Sequence, residues 1–346
     1  MQPELSTDNQ LIVRELTATL TRSCDIHLPD FGQAEQYNRA VFAAANNALS
    51  EGGWNELFAS KDSDSEHMAM LSRVVEETAR ATPVLAFPLI ETIAARRILT
   101  ELGNDVASDG VVVANVSRVL TNDSGVESLF PYPALAETFI DLVPSQDAFD
   151  VVSYSATQLE STPQDIDVTR PMGRLVPEAK GTKLGLITRD SAQHYAAEAL
   201  VLTAAELLGT ADRLMVATRE HLSQREQFGR KLSSHQALRH RLADAFVRIE
   251  TLRSLVWYAG WVADHSPDGL VEYALIAKGY GAEVAWDVAD ESIQLFGGMG
   301  FTWEQGLHFP ASRIATRSLE QPSGLDCLEL VGHHSLRRGS LIGLVA

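Results

Sequence analysis

The 346 residues are 45% hydrophobic and 21% charged, the balance of a soluble globular chain long enough for two or three domains. Asp plus Glu number 46 against 28 Lys plus Arg, a formal charge of −18, and no Lys/Arg run supplies the basic face that nucleic acid needs. No apolar run nears the roughly 18 residues of a membrane span; the polar start Met1–Asn9 is unlike a leader, and only Cys24 and Cys327 are present, so the expectation is a reducing, cytoplasmic setting without a disulfide scaffold.

Three regions differ in texture, and they define the expected domains as 1–103, 104–189 and 190–346. The first reads helical. Ile12, Leu16 and Leu20 recur at helical spacing behind the capping residues Ser6, Thr7 and Asp8. A second helix over about 34–51 stops at Gly52-Gly53, a third over about 66–81 is broken by Pro83, and a fourth carries Leu89, Ile93 and Arg97 before stopping at Gly103. The second region has short β-branched runs at Val111–Val113, Phe139–Val143, Phe149–Val152 and Leu184–Ile187, separated by turn-rich strings such as Asn122-Asp-Ser-Gly and Pro177-Glu-Ala-Lys-Gly. With nothing helical between them, these strands read as a small antiparallel β domain.

The third region returns to helices, and they are long: about 191–223, 235–264 and 270–296, or ~40–50 Å at ~1.5 Å per residue. Leu238, Leu242, Ile249 and Val256 mark an apolar stripe in the second of these. Ala274, Ala277, Gly281, Ala285 and Val288 mark a small-residue stripe in the third. The short link Ser266-Pro-Asp-Gly269 makes these two neighbours antiparallel.

Two strings carry chemistry. Arg225 follows a long helix and precedes Phe228-Gly229, with Arg230, Lys231, Arg239 and Arg241 nearby. A guanidinium at such a junction either clamps a diphosphate through paired charge-assisted bonds or is a solvated cation complementing the helix dipole. Gln294-Leu-Phe-Gly-Gly-Met-Gly300 ends the third long helix; its glycines either let a ligand approach backbone N–H groups or simply terminate the helix. The string follows a helix rather than a strand, so it is no dinucleotide fingerprint. The ten histidines, including His235, His240 and the pair His333-His334, form no metal-ligand spacing, and there is no Gly-x-Ser-x-Gly elbow.

Taken in order, Arg225-Glu-Gln-Phe-Gly, Gln236, Leu242-Ala-Asp, Lys278 and Gln294-Leu-Phe-Gly-Gly-Met-Gly-Phe-Thr-Trp-Glu304 resemble the acyl-CoA dehydrogenase family. Pro131-Tyr-Pro-Ala and Asp167-Val-Thr-Arg170 resemble its β-domain landmarks. The resemblance implies an α+β, mainly helical fold: an N-terminal helical domain, a small and here shortened middle β domain, and a C-terminal four-helix bundle. It also implies FAD as cofactor, an acyl-CoA substrate undergoing α,β-dehydrogenation, and an electron-transfer flavoprotein as acceptor. Arg225, Phe228, Gln236, Gln294, Gly297 and Gly298 would hold the adenine and diphosphate end of FAD, which in this family crosses a subunit interface.

Two departures qualify the resemblance. The stretch 104–125 lacks the Thr-Glu-Pro-Gly-x-Gly-Ser type loop, and no Trp-Ile-Thr-like strand follows it. The catalytic base is also unassigned: a gapless match of Leu319–Gly324 puts Gln321 at its place, leaving Glu320 and, on the first bundle helix, Glu198 as weak candidates. A shortened relative of this kind resembles one subunit of a heterotetrameric (α2β2) steroid side-chain acyl-CoA dehydrogenase, whose longer homologous subunit completes the FAD site. The alternatives are a self-sufficient homotetramer and a flavin-free structural subunit.

Overall fold

A computed structural model describes residues 5–24, 34–60, 66–82, 84–104, 110–121, 127–162, 166–320 and 322–338. The expected breaks at Pro83 and Asn122–Gly125, and the candidate Gln321, lie outside the described residues.

The N-terminal region holds α1 (Thr7–Ser23), α2 (Ala34–Glu51), α3 (Trp54–Ala59), α4 (His67–Ala81) and α5 (Leu89–Glu101). The Ser6 hydroxyl accepts the Asn9 backbone N–H at 3.3 Å and so caps α1. α4 borrows its cap: both Asp264 carboxylate oxygens accept the Met68 and Ala69 N–H groups, at 2.8 and 2.9 Å, satisfying donors that a helix start leaves open. Beyond α5, Gly103 sits at φ +69°, the expected helix stop.

The middle region holds β1 (Val112–Asn115), α6 (Arg118–Thr121), β2 (Leu129–Pro131), β3 (Thr138–Ser145), β4 (Ala148–Ser155), β5 (Leu159–Ser161), β6 (Met172–Leu175) and β7 (Thr182–Thr188). They form one sheet in the order β1-β3-β4-β7 and another in the order β2-β6-β5. The expectation of a purely antiparallel domain is corrected here, because β1 pairs parallel with β3, Val112 opposite Thr138 and Asn115 opposite Asp141. A parallel pair needs a crossover, and the short α6 and β2 lie within it. The β3–β4 hairpin turns through Gln146 at φ +45°. The two stretches noted as landmarks meet: buried Tyr132 donates its hydroxyl to the Thr169 carbonyl at 2.9 Å.

The C-terminal region holds α7 (Arg189–Gln224), a two-residue-strand hairpin β8 (Glu226–Gln227) and β9 (Arg230–Lys231), α8 (Gln236–His265), α9 (Leu270–Phe296), α10 (His308–Leu319) and α11 (Gly324–Arg338). α7 packs along α9 and α4, α8 along α9 and α4, and α10 and α11 close on α9. The small-residue stripe of α9 is buried as read: Ala274, Ala277 and Ala285 are fully enclosed. The stripe read in α8 is only half realised, with Ile249 and Val256 buried while Leu238 and Leu242 stay partly exposed. Gly209 of α7 lets the helices touch, since a Cβ there would lie 2.2 Å from the Glu76 carbonyl oxygen of α4. Among the described residues no helix is long and apolar enough to cross a membrane.

Candidate functional site

Two places concentrate polar groups: one end of the helical bundle and a cavity between the three regions.

At the bundle end, the C-terminus of α7 and the C-terminus of α9 are held together by His221 stacked on Phe296, ring centroids 4.1 Å apart. Burial first, and then the charge of Arg225, lower the His221 pKa, which keeps this stack a neutral aromatic contact at neutral pH. Arg225 caps α7, and its carbonyl accepts the Leu232 N–H at 2.9 Å, closing the hairpin loop. Phe228 and Gly229 turn the hairpin at φ +55° and +75°. Consecutive positive φ angles make the tight hairpin turn that matches strand twist. A phenylalanine there is strained; it is 89% exposed and lies edge-on to the His235 ring.

Gln236 opens α8 beside this hairpin, and Arg241 of α8 pairs with Glu291 of α9 one turn before Gln294. Gly297, at φ +63°, ends α9. The fold therefore brings all six expected cofactor contacts, Arg225, Phe228, Gln236, Gln294, Gly297 and Gly298, to one exposed end. The side chains of Arg225, Gln236 and Gln294 bond to no partner among the described residues. A Cβ built on Gly297 or Gly298 would have nothing within 4 Å. Open glycine backbone beside unpaired cationic and amide donors fits a diphosphate, so these residues suit the adenine and diphosphate end of FAD.

The cavity measures about 360 Å³ and lies between α5, the β1–α6–β2 segment, α7, and the α10–α11 junction. Its wall is apolar, including Ile90, Leu120, Leu129, Leu200 and Leu319. Its floor is a buried ion network. Arg317 Nη1 donates to Glu91 at 2.7 Å and to Glu320 at 2.9 Å, and its Nε to Glu206 at 2.7 Å. Arg170 donates to Glu91 at 2.7 Å and to Glu320 at 2.6 Å. Below them Arg313 pairs with Asp167 and with Glu206, the latter at 2.8 Å. Burial alone would raise the Glu91 carboxyl, but Arg317 and Arg170 outweigh it and hold it well below the usual range. Lys278 lines the cavity, donates to the Arg317 carbonyl at 2.6 Å, and has its pKa lowered by burial.

The two weak candidates for the base fare differently. Glu320 faces the cavity, and each of its carboxylate oxygens accepts one guanidinium donor, Oε1 from Arg170 and Oε2 from Arg317. Glu198 does not line it. Ala196, Leu200 and Thr203 form the cavity face of α7, and a residue two positions away, at about 100° per residue, points to the other side. There Glu198 pairs with Arg97 of α5 and, at 3.1 Å, with His194.

The network itself escaped the sequence reading, although signals were present: Arg313 and Arg317 sit four apart beside apolar Phe309 and Ile314, and Glu206 interrupts the apolar run Leu200–Leu208. Among the described residues no group of three His, Cys, Asp or Glu side chains is placed to hold a metal ion, and both cysteines are buried and free.

Residues 192–321 match the family model described as acyl-CoA dehydrogenase, C-terminal domain. The chain is 29% identical over 258 residues to acyl-CoA dehydrogenase IpdE2 of Mycolicibacterium smegmatis, covering 72% of this chain and 74% of that protein. It is 37% identical over 126 residues to IpdE2 of Mycobacterium tuberculosis, covering 36% of this chain and 38% of that protein. Among solved structures it superposes on the Tcur3481-Tcur3483 steroid ACAD G363A variant with a TM-score of 0.76 at 19% identity, covering 96% of this chain and 99% of that one. It also superposes on the ChsE4-ChsE5 complex from Mycobacterium tuberculosis with a TM-score of 0.74 at 17% identity, covering 96% and 98%.

Proposed function

Family model, relatives and fold together support placing this chain in the acyl-CoA dehydrogenase family, and from that premise we propose that it is the shortened subunit of a heterotetrameric, FAD-dependent acyl-CoA dehydrogenase. It contributes Arg225, Phe228, Gln236, Gln294, Gly297 and Gly298 to an FAD site completed by a longer homologous subunit. The observation that carries this reading is the contrast between the two places: the bundle end offers exposed, unpaired diphosphate donors, while the internal cavity has its charges already paired with one another.

When bound, flavin would take the β-hydrogen of an acyl-CoA thioester as hydride while a carboxylate of the longer subunit removes the α-proton. This chain's task is positional. Arg225 would neutralise the diphosphate, and the backbone at Gly297 and Gly298 would let it approach because no side chain stands in the way. Phe228, exposed on a strained turn, meets the partner subunit. A steroid-derived thioester is the favoured substrate, supported by two neighbours in fold, one titled a steroid ACAD and the other a complex of two named components. An electron-transfer flavoprotein would be the electron acceptor.

The test is flavin retention by the co-expressed complex carrying Arg225→Ala in this chain. Losing a charge-assisted clamp should weaken FAD at least roughly tenfold, with the complex still assembled. Wild-type flavin affinity in that variant would remove Arg225 from the site.

A further inference from the structure

We propose that Lys278 is a reactive amine of the internal cavity and condenses there with an apolar aldehyde to form an imine. It is the nucleophile among the cations around that space. Arg170 and Arg317 are bound by Glu91 and Glu320, and a guanidinium keeps its proton in a protein and has no lone pair to offer. Lys278 lines the cavity from α9, is 1% exposed, and forms no ion pair among the described residues. Its Nζ donates instead to a neutral group, the Arg317 carbonyl, at 2.6 Å. Burial lowers its pKa against the opposing pull of Cys327, Glu320 and Asp326, and that lowering favours the free lone pair that attack on a carbonyl needs.

The step leaves charge and hydrogen bonding as they are. The Nζ lone pair adds to the aldehyde carbon to form a C–N bond, the aldehyde oxygen leaves as water, and a C=N bond replaces C=O. In sum an ammonium and an aldehyde become a protonated imine and water, with no oxidant or reductant. The single positive charge stays, so the arginine–carboxylate pairs around it need not rearrange, and Glu320 and Asp326 favour the iminium as they favour the ammonium. A protonated imine keeps one N–H, and the Arg317 carbonyl is in place to accept it. That carbonyl lies in the last turn of α10, where the helix leaves its own acceptors open.

The rest of the cavity selects the body of the aldehyde. Ile90, Leu120, Leu129 and Leu200 wall a space of about 360 Å³, within the usual range for a small-molecule site. Three further contacts continue that wall outward: Leu129, Ile166 and Leu319 line the cavity and yet stay 39%, 65% and 59% exposed. Apolar surface therefore runs from the amine to the mouth, and burying hydrocarbon against it is favourable. A neutral carbonyl head also enters without the cost of desolvating a charge. The ligand class is an aldehyde on a compact hydrocarbon body.

Lys278 lies ~24 Å along α9 from Gln294, at ~1.5 Å per residue, so the test does not involve the flavin end. The purified wild-type complex is treated with octanal and sodium cyanoborohydride, which reduces an imine to a stable amine, and peptide mass mapping follows the octyl group at each lysine over time. Octanal should label Lys278 at least about tenfold faster than the exposed Lys180, because the bound aldehyde is held beside the amine. 1-Octanol, which fills the same apolar space but cannot condense, should slow labelling at Lys278 and leave Lys180 unchanged. Glycolaldehyde, which has no hydrocarbon body, should show no preference for Lys278. Octanal labelling at Lys278 no faster than at Lys180, or untouched by 1-octanol, would overturn the proposal. Preferential labelling of Lys278 by glycolaldehyde would overturn the apolar ligand class.

Discussion

Substituting Glu198 by Gln separates a structural carboxylate from a catalytic one. Glu198 and its partner Arg97 each expose only 5% of their side chains. Burial alone would raise the Glu198 pKa, but Arg97 and then His194 outweigh it and hold the carboxyl at about 2, against an ordinary 4.5. A difference of that size corresponds to about 3 kcal/mol, at the low end of the about 3–5 kcal/mol that losing one member of a buried pair costs. Because the folded-state pKa is depressed, this contribution is complete above the unfolded value and fades as pH falls from 4.5 toward 2.

The assay is urea denaturation of wild type and Glu198→Gln at one fixed protein concentration, since assembly adds to apparent stability. The variant should be about 3 kcal/mol less stable at pH 7, and the gap should shrink by about a quarter at pH 4. Turnover of the folded complex should be retained. A variant as stable as wild type to within about 0.5 kcal/mol, with turnover lost, would refute the reasoning and restore Glu198 as a base.

Three further outcomes follow from the same geometry. Gly298→Val should leave the stability of the chain unchanged, because nothing lies within 4 Å of the added Cβ, yet reduce flavin retention in the complex; retained flavin would show that no ligand approaches there. Gly209→Ala should cost roughly 1–3 kcal/mol in the same denaturation experiment, because its methyl would meet the Glu76 carbonyl oxygen at 2.2 Å; a neutral effect would mean α4 and α7 are free to separate. Phe228→Ser removes an 89% exposed ring and should weaken association with the longer subunit at least roughly tenfold without destabilising the chain itself; analytical ultracentrifugation reads the association directly.

The long helices were legible because periodicity and capping are local: Ser6 caps α1, Gly103 follows α5, and the small-residue stripe of α9 is buried as spaced. The parallel β1–β3 pair was not legible, since a four-residue strand carries no mark of its partner's direction. The weak burial of the first half of α8 was hidden for a related reason. Leu238 and Leu242 read as part of the apolar stripe, whereas they stay partly exposed, and the neighbouring Phe246 and Val247 are 52% and 62% exposed. The cofactor string was readable in order, but only the His221–Phe296 stack shows how its two halves, about seventy residues apart, reach the same end of the bundle. The ion network depends on four segments between Glu91 and Glu320 converging, and long-range pairing of that kind has no sequence period to betray it.

The shared-site account is tested most directly by measuring flavin stoichiometry and mass in solution, for this chain alone and co-expressed with a longer homologue. It predicts a colourless lone chain that becomes a yellow heterotetramer with one FAD per heterodimer. One FAD per chain in a tetramer of this chain alone would contradict it, and would mean that a complete flavin pocket is built from these residues.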